Sequence, residues 1–204
     1  MEKKYSTVIA DAIKAFLRDD DWKFFFDEEK GTFRFGLKIK SKMKHVDYTI
    51  IVHETDYTVY ATSPVHADDD DADCMASMAE FITRANYGLR CGNWEMDYND
   101  GEIRYKVYVD VENIELPASI VKHSIYCAAS MFERYGDGII GVIYGGESPK
   151  VAVKKSEDER IPPRSQDCLM NSVLILKASL PNQLRQNLPS ISALTQKKRP
   201  MMNS

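Results

Sequence analysis

The chain has 204 residues, of which 44% are hydrophobic, and a formal net charge of −4; this supports one packed domain with an appendage. No apolar run approaches the roughly 20 residues that a membrane span needs, and no apolar segment with a small-residue cleavage site opens the sequence, so the expectation is a cytoplasmic protein that neither enters a membrane nor carries a signal peptide. The charge is uneven: up to Asp167 there are 22 basic residues against 31 acidic ones, and beyond it five basic residues and no acidic one. An acidic body argues against nucleic acid as a partner, because phosphate binding needs a basic surface.

In chain order, Tyr5, Val8, Ile9, Ala12, Ile13, Phe16 and Leu17 form one apolar stripe and predict a first helix over about 5–17. Trp22 to Phe26 reads as a short aromatic strand. Phe33, Phe35, Leu37 and Ile39 alternate with Arg34, Gly36, Lys38 and Lys40, a strand with one buried face. Two more strands follow, at 48–54 and 57–62, and Pro64 ends the meander. A second helix begins in the acidic run 68–73, where carboxylates complement the helix dipole, and Gly88 is placed to cap its end in the left-handed conformation. Trp94, Met96 and Tyr98, a turn at Asn99-Asp100-Gly101, and Ile103, Tyr105, Val107 and Val109 predict a half-buried hairpin. A third helix starts near Pro117 and is capped at Gly136. The segment 137–144 is undecided between helix and loop, and a last short helix runs from Ser148 to about Glu157.

Composition changes at Glu159. The remainder is rich in Pro, Ser, Asn and Gln, with apolar density for one helix between Cys168 and Ser179. The expected organisation is a body of residues 1–158 and a basic, mostly disordered tail of residues 159–204. The body is expected to be an α+β domain, an antiparallel sheet of about five strands with helices packed on it, in the order α-β-β-β-α-β-β-α.

A search for chemistry finds no catalytic pattern. His45, His53, His66 and His123 neighbour no nucleophile motif. The cysteines at 74, 91, 127 and 168 form no C-x-x-C pair, which predicts buried thiols and disfavours a zinc site. Asp69, Asp71, Asp73, Ser77 and Glu80 fall at EF-hand ligand positions, but Cys74 occupies the place that needs glycine. The glycines from Gly136 to Gly146 lack the Lys of a phosphate loop. Aromatics at 22–26 and 33–35 lie on the strand face opposite the lysines, so stacking and charge do not converge for a single-stranded nucleic acid.

The segment 81–112 carries a recognisable pattern: Arg84-Ala85-Asn86-Tyr87-Gly88, then Gly92-Asn93-Trp94-Glu95-Met96-Asp97, then Asp100-Gly101-Glu102-Ile103-Arg104-Tyr105-Lys106. It resembles the YbjN family of bacterial proteins, and Gly138-Ile139-Ile140, Val142 to Gly146 and Ser148-Pro149 are similar to that family's closing region. The tail beyond Glu159 has no counterpart in the resemblance. The resemblance implies a fold like that of the type III secretion chaperones, a dimeric binding protein without a cofactor, and a role in regulating sensory transduction. It brings no catalytic residue. It also implies that the second helix and the following strand meet a twin subunit, making Met75, Met78, Ile82, Trp94 and Met96 the candidate dimer contacts.

The reading is therefore a non-enzymatic, chaperone-like or regulatory homodimer that captures a segment of another protein. Arg34, Lys38, Lys40 and Lys106 are the charged candidates for the capturing surface. The alternative is a small-ligand sensor or enzyme with a pocket between the sheet and the third helix, near Arg104, Tyr105, His123 and Tyr126.

Overall fold

The computed structural model describes residues 3–158, and the expected tail, with its candidate helix, lies outside them. The elements are α1 (Thr7–Asp19), β1 (Phe25–Asp27), β2 (Thr32–Lys38), β3 (His45–Val52), β4 (Asp56–Thr62), α2 (Ala72–Asn86), β5 (Asn93–Met96), β6 (Ile103–Asp110), α3 (Ala118–Gly145) and α4 (Pro149–Asp158). The class is α+β, as the alternation of apolar residues predicts. The sheet has six strands because the aromatic segment after α1 pairs as β1.

All neighbours in the sheet are antiparallel, in the order β1-β2-β3-β4-β6-β5. The last hairpin is folded in so that its second strand, β6, pairs with β4, and its first strand, β5, takes the edge. Period-two alternation then divides the sheet into two faces. Phe33, Tyr48, Ile50, Tyr57, Val59, Trp94, Ile103 and Tyr105 point to one side and are buried. The apolar stripes of α1, α2 and α3 join them in one core.

Two buried tyrosines fasten α3 to the sheet. The Tyr48 hydroxyl donates to the Ile125 carbonyl at 2.9 Å, and the Tyr57 hydroxyl pairs with Ser124 Oγ at 3.1 Å. A buried hydroxyl needs such a partner to offset its lost hydration. Burial also resists ionisation, pushing the Tyr57 phenol up to about 12.

At α2, Asp71 is the N-cap, and its carboxylate accepts from the Asp73 and Cys74 amides. Its carboxylate thus serves the helix. Gly88 has φ +90°, the left-handed conformation expected after the helix.

Gly136 does not end α3. The helix runs nine residues further to Gly145, and Gly146, at φ +61°, makes the left-handed cap. Gly136 and Gly138 inside it serve close packing. A Cβ on Gly138 would sit 2.9 Å from Ser156 Oγ of α4 and 3.0 Å from the Phe81 ring of α2, so α2, α3 and α4 meet where the side chain is missing. Gly101 answers a different need. At φ +69° in the β5–β6 turn, its absent Cβ leaves room for the Ala67 carbonyl, while the Ala67 amide donates to the Gly101 carbonyl at 3.0 Å.

The edge strand β5 is closed by a side chain. The Trp94 amide donates to Asn86 Oδ1 at 2.7 Å, and Asn86 Nδ2 donates to the Trp94 carbonyl at 2.9 Å. One carboxamide thereby supplies both bonds that a further strand would supply.

Two substitutions test these contacts. Asn86→Ala removes the Trp94 amide's bond and leaves its carbonyl only the longer 3.4 Å bond from Asn93 Nδ2, and it is expected to lower unfolding free energy by about 2 kcal/mol in urea titration. Gly138→Ala gains helix propensity but forces Phe81 and Ser156 apart, and a net loss of about 1–2 kcal/mol is expected; a variant as stable as the parent would mean that α4 yields at this point.

Candidate functional site

The face of the sheet opposite the core carries no helix among the described residues. Its cross-strand register aligns Phe25, Arg34, Thr49, Tyr60, Lys106 and Asn93 in one row across all six strands. Beside it runs a second row, Gly36, Asp47, Thr62, Arg104 and Glu95. Phe25 is 61% exposed, a large apolar ring on the short outer strand next to Arg34.

The charges on this face differ in their engagement. Arg104 donates to Glu95 Oε2 at 2.9 Å and lies 4.4 Å over the Tyr60 ring, and Lys106 Nζ donates to Glu95 Oε1 at 3.1 Å. Partial burial works to raise the Glu95 pKa, but hydrogen bonds from Lys106, Arg104 and Asn93 outweigh it and hold the carboxyl below its ordinary value. Lys106 is thus on the expected surface but already neutralised. Arg34 and Lys38 project from β2 without an ion pair among the described residues. Lys40 is not on the sheet: β2 ends at Lys38, and the Lys40 backbone amide donates to Glu133 Oε1 of α3.

The five candidate dimer contacts fall mostly inside the subunit. Met75, Met78, Ile82 and Trp94 are buried, Met78 completely, because the stripe of α2 and the inward side of β5 fill this chain's own core. Met96 keeps partial exposure. Trp94 stacks edge-on against Tyr105, Phe132 and Tyr135.

Of the residues suspected of lining a pocket under α3, Arg104 lies on the opposite face of β6, and the Tyr126 hydroxyl donates to Asp20 Oδ2 at 2.8 Å. An open groove of about 590 Å³ lies elsewhere, between α2 and the β5–β6 hairpin, with Ile82, Thr83, Met96, Tyr98 and Arg104 in its walls.

Tyr105 and His123 do meet, at Cys91, in the loop between α2 and β5. The Tyr105 hydroxyl donates to the Cys91 carbonyl. The Cys127 thiol lies 3.8 Å from the same carbonyl oxygen and also hydrogen-bonds the Cys91 sulfur. That hydrogen bond, with the charge and hydrogen bond of His123, outweighs burial and brings the Cys91 thiol down to about 6. Cys91 and Cys127 are half-buried and His123 is exposed. Sequence reading missed this cluster because Cys91 is far from the others in the chain. The available signal was His123-x-x-x-Cys127, one turn apart on a helix face.

The sequence pattern of the YbjN family, described as a putative bacterial sensory transduction regulator, matches residues 10–141. The chain belongs to the YbjN family. No curated protein matches it. The YbjN match runs from α1 into α3, so it contains the open sheet face, the groove and the thiol cluster. The family description is that of a regulator, and among the described residues no helix is long and apolar enough to cross a membrane.

The Glu95 network gives a pH prediction. Because the folded-state pKa is depressed, its contribution to stability is present above the ordinary carboxylate value and is lost as pH falls through the folded value. NMR titration should place the Glu95 midpoint below 4.5, and Lys106→Met should raise it; an unchanged midpoint in the variant would remove Lys106 from the explanation.

Proposed function

We propose that this YbjN chain is a non-catalytic regulatory protein that captures an extended, acidic segment of a partner protein on the open face of its sheet. The observation that carries the reading is the uncovered row Phe25–Arg34–Thr49–Tyr60–Lys106–Asn93. Six strands at about 4.8 Å spacing make a platform about 24 Å wide, room for roughly seven residues of extended chain. The end of the row formed by Phe25 and Arg34 offers apolar surface beside an unneutralised cation, and Lys38 extends the charge along β2. An acidic segment would find complementary charge there, with the aromatic ring supplying buried area. The cytoplasm is the compartment we assign to it.

A homodimer belongs to the same reading. With most of the expected contacts committed to the core, the remaining apolar surface near α2 and β5 is Met96, Tyr87 and Tyr98, the last two exposed. Light scattering on the full chain should give twice the subunit mass of 23.3 kDa.

A second reading, a small-ligand sensor or enzyme, has the groove between α2 and the hairpin in its favour, where Arg104 could meet an anionic ligand. One experiment separates the two. The tagged full chain is used to capture partners from lysate, beside Arg34→Glu/Lys38→Glu and Glu95→Gln variants. On the sheet-face reading, the double reversal lowers capture of a stoichiometric partner at least ten-fold, and Glu95→Gln, which removes the ion pair of Lys106 and leaves Arg104 only its pair with Glu102, strengthens it. Capture indifferent to the reversal would overturn the sheet face as the site.

A further inference from the structure

We propose that Cys91 and Cys127 form a peroxide-sensitive thiol pair, in which Cys91 is the attacking sulfur and Cys127 the resolving one, closing an intrachain disulfide. This site is separate from the open sheet face, since Cys91 precedes β5 and Cys127 lies on α3 under the core side of the sheet.

The geometry supplies each role. Cys91 sits in the loop 87–92, half-buried rather than sealed, so a small oxidant can reach it. His123 and Cys127 face it from α3 and Tyr105 from β6. The Cys127 thiol lies 3.8 Å from the Cys91 carbonyl oxygen, its hydrogen bond is the largest influence on the Cys91 thiol, and a disulfide requires the two sulfurs to close to about 2.05 Å. The loop can make that adjustment. Gly88 and Gly92 flank Cys91, both at positive φ, and nothing packs where a Gly88 side chain would be. The fold anchors the far side, since the backbone at Gly92 lies against the Lys106 carbonyl and the Tyr105 ring.

The chemistry balances with a hydroperoxide as the oxidant. The Cys91 thiolate attacks the terminal peroxide oxygen, the S–O bond forms and the O–O bond breaks. The departing alkoxide or hydroxide takes up a proton from solvent. Cys91 is then a sulfenic acid. The Cys127 sulfur attacks it, the S–S bond forms, and the hydroxyl leaves with the Cys127 proton as water. The two thiols lose two electrons and the peroxide gains them. Reduction by a dithiol reverses the product.

Because Cys91 ionises at about 6 in the folded chain, it holds the thiolate near neutrality, whereas an unperturbed thiol does so only near pH 8.5. The thiolate gain at pH 6 exceeds the accompanying loss of intrinsic nucleophilicity, leaving a net advantage of about ten-fold over the same cysteine in the urea-unfolded chain.

The test uses the full chain with Cys74→Ser and Cys168→Ser, so that only the pair remains. Iodoacetamide labelling of Cys91, followed by mass spectrometry from pH 5 to 9, should show a midpoint near 6 and the ten-fold advantage at pH 6. Hydrogen peroxide should give a species lighter by two hydrogens, with Cys91 and Cys127 in one linked peptide, restored by dithiothreitol. With Cys127→Ser added, dimedone should trap a sulfenic acid on Cys91; with Cys91→Ser added instead, Cys127 should stay unlabelled. A labelling midpoint at 8 or above, oxidation to a sulfinic acid without the linked peptide, or linkage only between two chains would each overturn the proposal. The parent chain, with all four cysteines, provides the same linked-peptide readout if the serine variants fail to fold.

Discussion

The Asn86 carboxamide, bonded to both backbone groups of Trp94, is the constraint on which the edge of this sheet depends. A four-residue edge strand paired on one side only is marginal by itself, and its outward N–H and C=O would invite pairing with another chain. Asn86 removes that invitation at the last residue of α2 and fixes the position of the Trp94 backbone. The indole is thereby directed into the aromatic cluster with Tyr105, Phe132 and Tyr135, which joins β5 and β6 to α3, and Tyr135 in turn meets Phe81 of α2. The Trp94 Nε1 N–H has no partner among the described residues, so the ring holds its place by apolar and edge-to-face contact, which outweighs an unmet donor.

Alternation along the strands was sufficient to separate the covered face from the bare one, because period two is a property of local backbone geometry. The strands from Phe33 to Val109 and the stripes of α1 and α2 were legible for that reason. The extension of α3 past Gly136 was not. Local propensity treats glycine as a stop, whereas here Gly138 is required by the proximity of Phe81 and Ser156, contacts over 57 and 18 positions of sequence. The burial of Met75, Met78, Ile82 and Trp94 within this chain's own core shows a related limit. An apolar stripe records that a surface is covered, and does not record whether the cover is the same chain.

The charged candidates show what pattern alone leaves out. Arg34, Lys38 and Lys106 share the outward parity, but their electrostatic states differ, since Glu95 across β5–β6 neutralises Lys106 and no carboxylate among the described residues pairs with Arg34. An exposed ion pair contributes little to stability; its larger effect here is to reduce the net charge at one end of the sheet while the Phe25 end keeps its own. The face is therefore polarised along the row, an asymmetry that appears only when the register is known.

The same topological choice creates the thiol cluster. Since β6 pairs with β4, the chain leaving α2 must travel to the outer edge before β5 can begin, and the loop 87–92 makes that crossing. It passes beside the first half of α3, where His123 and Cys127 occupy one face a turn apart, and Tyr105 on β6 holds its Cys91 carbonyl. Cys91 becomes acidic because its neighbours offer a thiol donor and a cation in a half-dry site, an effect of convergence between segments more than 30 residues apart. Had the hairpin been paired in sequence order, with β5 beside β4, the loop would have been short of the edge and the cysteines apart. The edge position of β5 thus accounts at once for the Asn86 closure, the end of the sheet face at Asn93, and the meeting of Cys91 with α3.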